Sequence, residues 1–162
     1  MSAEEVAKAF TQHYYQMKDT NVDGLAGLYV SEYDGTYDLC VLHFFYDSNQ
    51  ISRCPNPFIH LGHPLLFTRQ QDSSMLTFES NQVQGGAAIV AKYKSVGPVQ
   101  HTVKSMDVQP SNNPNAMLSF VTGTIKIGGD NPLHFCEMFQ LVSTAPGQYY
   151  VHNDIFRLNY GL

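Results

Sequence analysis

The chain has 162 residues, 43% of them hydrophobic, which is enough for one well-buried core and too little for two ordinary domains. Its net charge is -5 and its 9 Lys and Arg are thinly spread, which excludes the clustered positive surface that nucleic acid or an anionic membrane requires and favours a basic partner protein. No stretch has the length and apolarity of a bilayer span or the pattern of a signal peptide, and Cys40, Cys54 and Cys136 are irregularly spaced, so a soluble intracellular protein with free thiols is expected.

Ser2 followed by Glu5 has the form of a capping box, and Val6, Phe10, Tyr14 and Met17 recur at helical spacing, which predicts an N-terminal helix with one apolar face. After a turn at Thr20 to Asp23, Leu25, Leu28 and Tyr29 predict a second, shorter helix packed beside it. Met75 to Glu79 and Gln82 to Gln84 read as a small hairpin around Ser80-Asn81, with Phe78 toward an apolar surface and Glu79 toward solvent. Gly85-Gly86 introduces a third helix over Ala87 to Tyr93; the pair is backbone freedom before a helix, not a phosphate loop.

Val99 to Gln109 predicts a strand leading through the turn-rich Pro110 to Asn115 into Ala116 to Ile127. There Met117, Ser119, Val121, Gly123, Ile125 and Ile127 share one face. After Gly128 to Pro132, Leu133, Phe135, Phe139 and Leu141 alternate with more polar neighbours, and a last strand runs from Tyr149 to about Leu158. Helices first and an antiparallel meander after them imply an α+β fold. Phe135, Phe139, Tyr149, Tyr150 and Phe156 read as aromatics on both faces of the last two strands, which suggests that a second face is buried.

MLTFESNQVQGGAAIV at Met75 to Val90, HYYQ at His13 to Gln16 and NDIFRLNYG at Asn153 to Gly161 together resemble the nuclear transport factor 2 family, over about three quarters of the chain. The resemblance implies a cone of three helices packed on a strongly curved, mainly antiparallel sheet, whose open face pairs two subunits. It implies one domain over residues 1–162, interrupted at about 33–72. It also implies a non-enzymatic carrier without cofactor that takes the GDP-bound form of the GTPase Ran through nuclear pores and touches FxFG-repeat nucleoporins. Such a carrier would be found in cytoplasm and nucleus, enriched at the nuclear envelope and pore.

The GTPase surface so implied is an apolar cavity rimmed by acids. Phe78 and Glu79 match the family's aromatic and acidic pair, Val96 and Val99 match apolar cavity positions, and Phe120, Leu133 and Phe156 match further apolar positions around it. Asp130 matches a rim acid. Asp19, with Phe78, matches positions that influence nucleoporin binding. An aromatic anchor in a ring of charges is a common arrangement for a binding hot spot. The chain departs from the family pattern at Gly128, in place of a further rim acid, at Ser80, in place of a turn glycine, and at Lys18, in place of an aromatic. The loop between Lys92 and His101 is shorter by about two residues, a change a surface loop absorbs.

A cone-fold enzyme acting on a small hydrophobic molecule is the alternative, with Tyr14, His101, Asp107 and Asp154 as its candidates. Strand alternation gives no sign that these converge, and His101 with Asp107 reads as a structural hydrogen-bonding pair at strand edges. A non-catalytic interaction module in mRNA export is a third reading. The segment from Tyr33 to Asp72 is longer than loops in compact domains run. Its Cys40, His43, Cys54, His60 and His63 only loosely imitate zinc spacing, so no metal is expected, although Phe44, Phe45, Tyr46, Leu65, Leu66 and Phe67 make it unusually apolar for disorder. It reads as a poorly ordered loop, as an accessory loop, or as translated intron or a gene-model error, since PLLFTR at Pro64 to Arg69 can be encoded by a pyrimidine-rich run followed by AG.

Overall fold

A computed structural model describes residues 2–29, 73–129 and 131–160. The expectations placed on 33–72, including its Cys and His residues, and on Asp130 therefore lie outside the described residues.

Helix α1 runs Ala3–Thr20. The Ser2 hydroxyl accepts from the Glu5 amide at 3.2 Å and the Glu5 carboxylate accepts from the Ser2 amide at 2.7 Å, so two amides that the first turn leaves unpaired are satisfied reciprocally. Its buried stripe, Ala7, Phe10, Tyr14 and Met17, follows the 3.6-residue period, with Tyr15 and Lys18 widening it. The second helix is a 3-10 helix, Val22–Leu28, rather than an α-helix. Gly24 and Gly27 lower the α propensity of so short a segment, while Leu25, Leu28 and Tyr29 still bury against α1 and the sheet.

Among the described residues six strands follow, with one further helix between them: β1 Met75–Phe78, β2 Asn81–Gln84, α2 Gly86–Val96, β3 Val99–Pro110, β4 Ala116–Ile127, β5 Leu133–Ala145 and β6 Gln148–Asn159. They form one sheet in the order β2-β1-β6-β5-β4-β3. All neighbours are antiparallel except β1 and β6, which pair in parallel with Phe78 opposite Phe156. The expected α+β cone is the observed fold class. Register shifts at Val103/Ser105, Gln140/Leu141 and Ser143/Ala145 bend the long strands, and Gly123 lies at the first bend because a Cβ there would stand 2.3 Å from the Thr102 carbonyl.

The structure changes two readings of the strands. The β1–β2 turn is Glu79-Ser80, one residue earlier than Ser80-Asn81, and both residues are left-handed (φ 47° and 72°), as a two-residue hairpin of this twist requires. Glu79 therefore belongs to a turn and not to a strand face. Of the aromatics of the last strands, Phe135, Phe139 and Phe156 all point inward into the core with Leu76, Val121 and Tyr14, so only the neighbours Tyr149, packed against the core, and Tyr150 divide between the two faces. Further apolar side chains of the outer face come from other positions. One cross-strand row places Asp107, Phe120, Met138, Ile155 and Thr77 side by side, with Phe120 43% and Ile155 41% exposed. Among the described residues no helix is long and apolar enough to cross a membrane.

Candidate functional site

The inner face of the sheet carries one row that decides the chemistry of the molecule: Met106, Val121, Glu137, Phe156 and Phe78 are consecutive cross-strand partners. At the Phe78 end the row opens into a small pocket lined by Lys18, Val22, Phe78, Tyr93, Val96, Val99, Ile125 and Phe156. Phe78, Val96 and Val99 are half-buried and form its mouth, while Lys18, Tyr93, Ile125 and Phe156 are buried and form its floor. Phe78 stacks on Phe156 with ring centroids 4.8 Å apart and planes 5° from parallel, meets Tyr93 edge-on at 6.0 Å, and carries the Lys92 ammonium 5.0 Å from its centroid.

Glu79 stands beside this mouth. Its turn is fixed on the last strand by two contacts: its amide donates to the Phe156 carbonyl at 3.2 Å, and its carboxylate Oε1 accepts from the Leu158 amide at 2.5 Å. A half-buried carboxylate taking a charge-assisted bond from backbone is held in place, which is what a rim charge needs if it is to meet a partner without losing side-chain entropy on binding.

Behind the pocket floor the row passes into a buried polar cluster. Lys18 Nζ lies 2.9 Å from Glu137 Oε1 and 3.3 Å from Oε2, with the two side chains 3% and 0% exposed. Tyr15 donates to Glu137 Oε2 at 2.7 Å. The hydroxyls of Tyr14, Tyr29 and Tyr93 converge on Asp154 Oδ2 at 3.0, 2.7 and 2.8 Å, and Tyr14 and Tyr93 also lie 3.2 Å from Glu137 Oε1. Burial, and then the charge of Asp154, pushes the phenols of Tyr14, Tyr29 and Tyr93 well above their usual range; burial followed by the Glu137 charge does the same for Tyr15. These groups stay protonated and act as donors. Burial, reinforced by the neighbouring charge of Glu137 and opposed by Lys18 and the phenols, pushes the Asp154 carboxyl up to about 8. Asp154 Oδ1 is buried with no hydrogen-bond partner among the described residues.

This cluster corrects the expectation that the enzyme candidates do not converge: Tyr14 and Asp154 are in hydrogen-bond contact. The other two are elsewhere. His101 pairs with Asp19 rather than with Asp107, its Nδ1 2.5 Å from Asp19 Oδ1 and its amide donating to Oδ2 at 2.9 Å. Asp107 is exposed on the outer face beside Phe120, because the irregularity at Val103/Ser105 puts it on the opposite side of β3 from His101. Burial holds the His101 imidazole below its usual range against the pull of Asp19, and the ring packs between Tyr15 and Phe135. Tyr14 and Asp154 are buried, 0% and 1% exposed. The pocket whose floor takes in Lys18 and Tyr93 of the cluster has a free volume of about 10 Å³, roughly the space of a single water, while the backbone side of Asp154 borders the outer groove described below.

Of the residues assigned to GTPase binding, the structure brings Phe78, Val96, Val99 and Phe156 together around the pocket, with Glu79 adjoining. Leu133 lies on the neighbouring strand β5, four residues before the Glu137 that faces Phe156, is half-buried opposite Ile125, and does not line the pocket. Phe120 does not line it either: alternation with the buried Ser119 and Val121 points it out of the opposite face. Of the two nucleoporin positions, Phe78 is at the pocket mouth and Asp19 is committed to His101. Sequence reasoning missed Lys18, Glu137, Tyr29 and Tyr93 as members of one site. Only Glu137 left a trace in the sequence, since it shares the inward parity of Phe135, Phe139 and Leu141. Among the described residues no group of three or more His, Cys, Asp and Glu side chains is placed to hold a metal ion.

The outer face bears a groove of about 510 Å³ lined in part by Met75, Thr77, Leu118, Met138, Gln140 and Ile155, continuous with the exposed Phe120 row. Comparison with known proteins fits this geometry into a family. The model of the nuclear transport factor 2 (NTF2) domain matches residues 64–158. Nuclear transport factor 2B of Arabidopsis thaliana is 37% identical over 99% of this chain and 97% of its own length, and nuclear transport factor 2 of Oryza sativa subsp. japonica is 38% identical over 99% and 100%. The solved structure of nuclear transport factor 2 from Cryptosporidium parvum superposes with a TM-score of 0.65 at 32% identity, covering 96% of this chain and 94% of that one.

Proposed function

The chain belongs to the nuclear transport factor 2 family, and from that premise we propose that it is a homodimeric carrier of the GDP-bound form of Ran, moving between cytoplasm and nucleus through the pore. The single observation that carries this reading is the pocket: an apolar mouth of Phe78, Val96 and Val99 over Phe156, with the anchored carboxylate of Glu79 at its edge. An apolar side chain of the GTPase would seat at the mouth and a basic one would meet Glu79. Losing one partner of such a desolvated pair costs about 2–5 kcal/mol, enough to abolish a micromolar complex.

FxFG-repeat nucleoporins are the second partner, with Phe78 and Asp19 the residues we assign to them. The outer face, with its apolar row through Phe120, Met138 and Ile155, is the surface we assign to pairing of two copies. The carrier needs neither catalysis nor a cofactor. In the polar cluster three phenols donate to Asp154 Oδ2 and the side chains are buried, which favours a structural over a catalytic role for it.

A pull-down with Ran loaded with GDP or GTP tests the reading. The GDP form is expected to be retained and the GTP form not, Glu79→Lys should lose it while keeping FxFG peptides, and the whole chain should match a variant lacking 33–72. Retention of neither Ran nor FxFG peptide sinks the proposal; FxFG binding alone favours an interaction module.

A further inference from the structure

The pocket contains a residue that works against the depth an inserted side chain needs. Lys18 enters from the last turn of α1 and its stem stands in the floor, while its ammonium sits 4.2 Å from the Tyr93 centroid and 4.6 Å from that of Phe156, with Tyr14 and Tyr15 at 5.3 and 5.7 Å. Glu137 holds it there at 2.9 Å, and neither side chain reaches solvent appreciably. To leave, Lys18 would strand Glu137 as a buried charge supported only by phenols, an arrangement that strongly disfavours departure. The free space that remains is about 10 Å³. A dry cavity that accepts an aromatic ring is larger by an order of magnitude, on the order of 150 Å³.

We propose that Lys18, locked by Glu137, is the specificity-determining residue of this pocket: it fixes a shallow floor, so the site takes an apolar group seated across the mouth formed by Phe78, Val96 and Val99, and not an aromatic ring inserted end-on. The inference rests on the carrier reading for the identity of the partner, but its geometric content is independent of it. A pocket of this kind binds through the rim charge and mouth contacts, and its affinity for a ring-bearing anchor is limited by the Lys18–Glu137 bond and not by the apolar walls.

Benzene, followed through the methyl resonances of Val96, Val99 and Ile125 in the full chain, is the probe. Wild type is expected to show no saturable shift. Lys18→Ala combined with Glu137→Gln removes the stem without leaving an unpaired charge and is expected to bind benzene saturably; Lys18→Val with Glu137→Gln is a less drastic version read in the same way. Saturable binding by wild type overturns the proposal, as does absence of binding by a double variant that still melts cooperatively. GDP-loaded Ran, measured on the same proteins, should bind the double variant several-fold more tightly than wild type, and equal affinity also overturns the proposal. If Ran binds none of them while benzene discriminates as stated, the carrier reading falls and the role of Lys18 in setting pocket depth stands.

Discussion

The two ends of the Glu137–Phe156–Phe78 row are built from opposite materials. Around Glu137 and Asp154, an ammonium, two carboxyl groups and four phenols are packed together out of solvent, whereas around Phe78 the walls are apolar and half-exposed. The groups with the most chemistry are buried, and the groups with the least are half-exposed at a pocket mouth. Reactive side chains in a cone are therefore no sign of catalysis by themselves; access decides. Lys18 belongs to both ends, with its head in the cluster and its stem in the pocket, so the cluster governs the shape of the pocket.

Variants at the two ends should separate stability from binding. The largest effect is expected from Glu137→Ala, which strands the Lys18 charge in the core and should cost about 3–5 kcal/mol in denaturant unfolding. Asp154→Asn should change the pH profile of stability. With its folded value raised from 3.8 to about 8, Asp154 binds more protons in the folded chain than in the unfolded chain throughout that window. Wild-type stability then falls as pH rises from about 4 to about 8 and this contribution is constant outside it; the Asn variant should lose that slope, and an unchanged slope would remove Asp154 from the account.

At the open end, Phe78→Ala should cost only about 1–2 kcal/mol of stability, because the ring is half-buried, yet abolish retention of GDP-loaded Ran. A large loss of stability with binding intact would reverse the comparison. The smallest effect is expected from Ser80→Gly. At φ 72° a side chain is strained, and its removal should raise stability by roughly 1 kcal/mol, read as a higher denaturation midpoint at constant m.

The parts of the fold carried by strong periodicity were legible in the sequence. The α1 stripe through Phe10, Tyr14 and Met17, and the β4 face through Ser119, Val121 and Ile125, are local patterns that the tertiary fold preserves. The hairpin turn was displaced by one residue because Glu79 and Ser80 carry no glycine or asparagine to mark left-handed backbone. The apolar mouth could be assembled only through the family resemblance, since Phe78, Val96 and Phe156 come from elements far apart in the chain. The same resemblance misplaced Phe120, although the buried parity of its neighbours argued against an inward side chain. The polar cluster was illegible for a related reason. Tyr14, Tyr93, Glu137 and Asp154 lie on four elements and Tyr29 just past the 3-10 helix, and no spacing rule links residues that meet only after the sheet has curled.

The parallel pairing of β1 with β6 has a consequence for biosynthesis. The pocket is a joint between the first strand of the sheet and the last, so Phe78 and the turn at Glu79 must wait for Phe156 and Leu158 to be made. At ribosomal rates of roughly 5–20 residues per second, that wait is about 4–16 seconds, during which the aromatic face of β1 has no lid and no strand beside it on that side. Interruptions of translation in the last strand would thus release chains whose binding surface is intact in sequence and sticky in practice, a substrate for chaperones before it is a carrier.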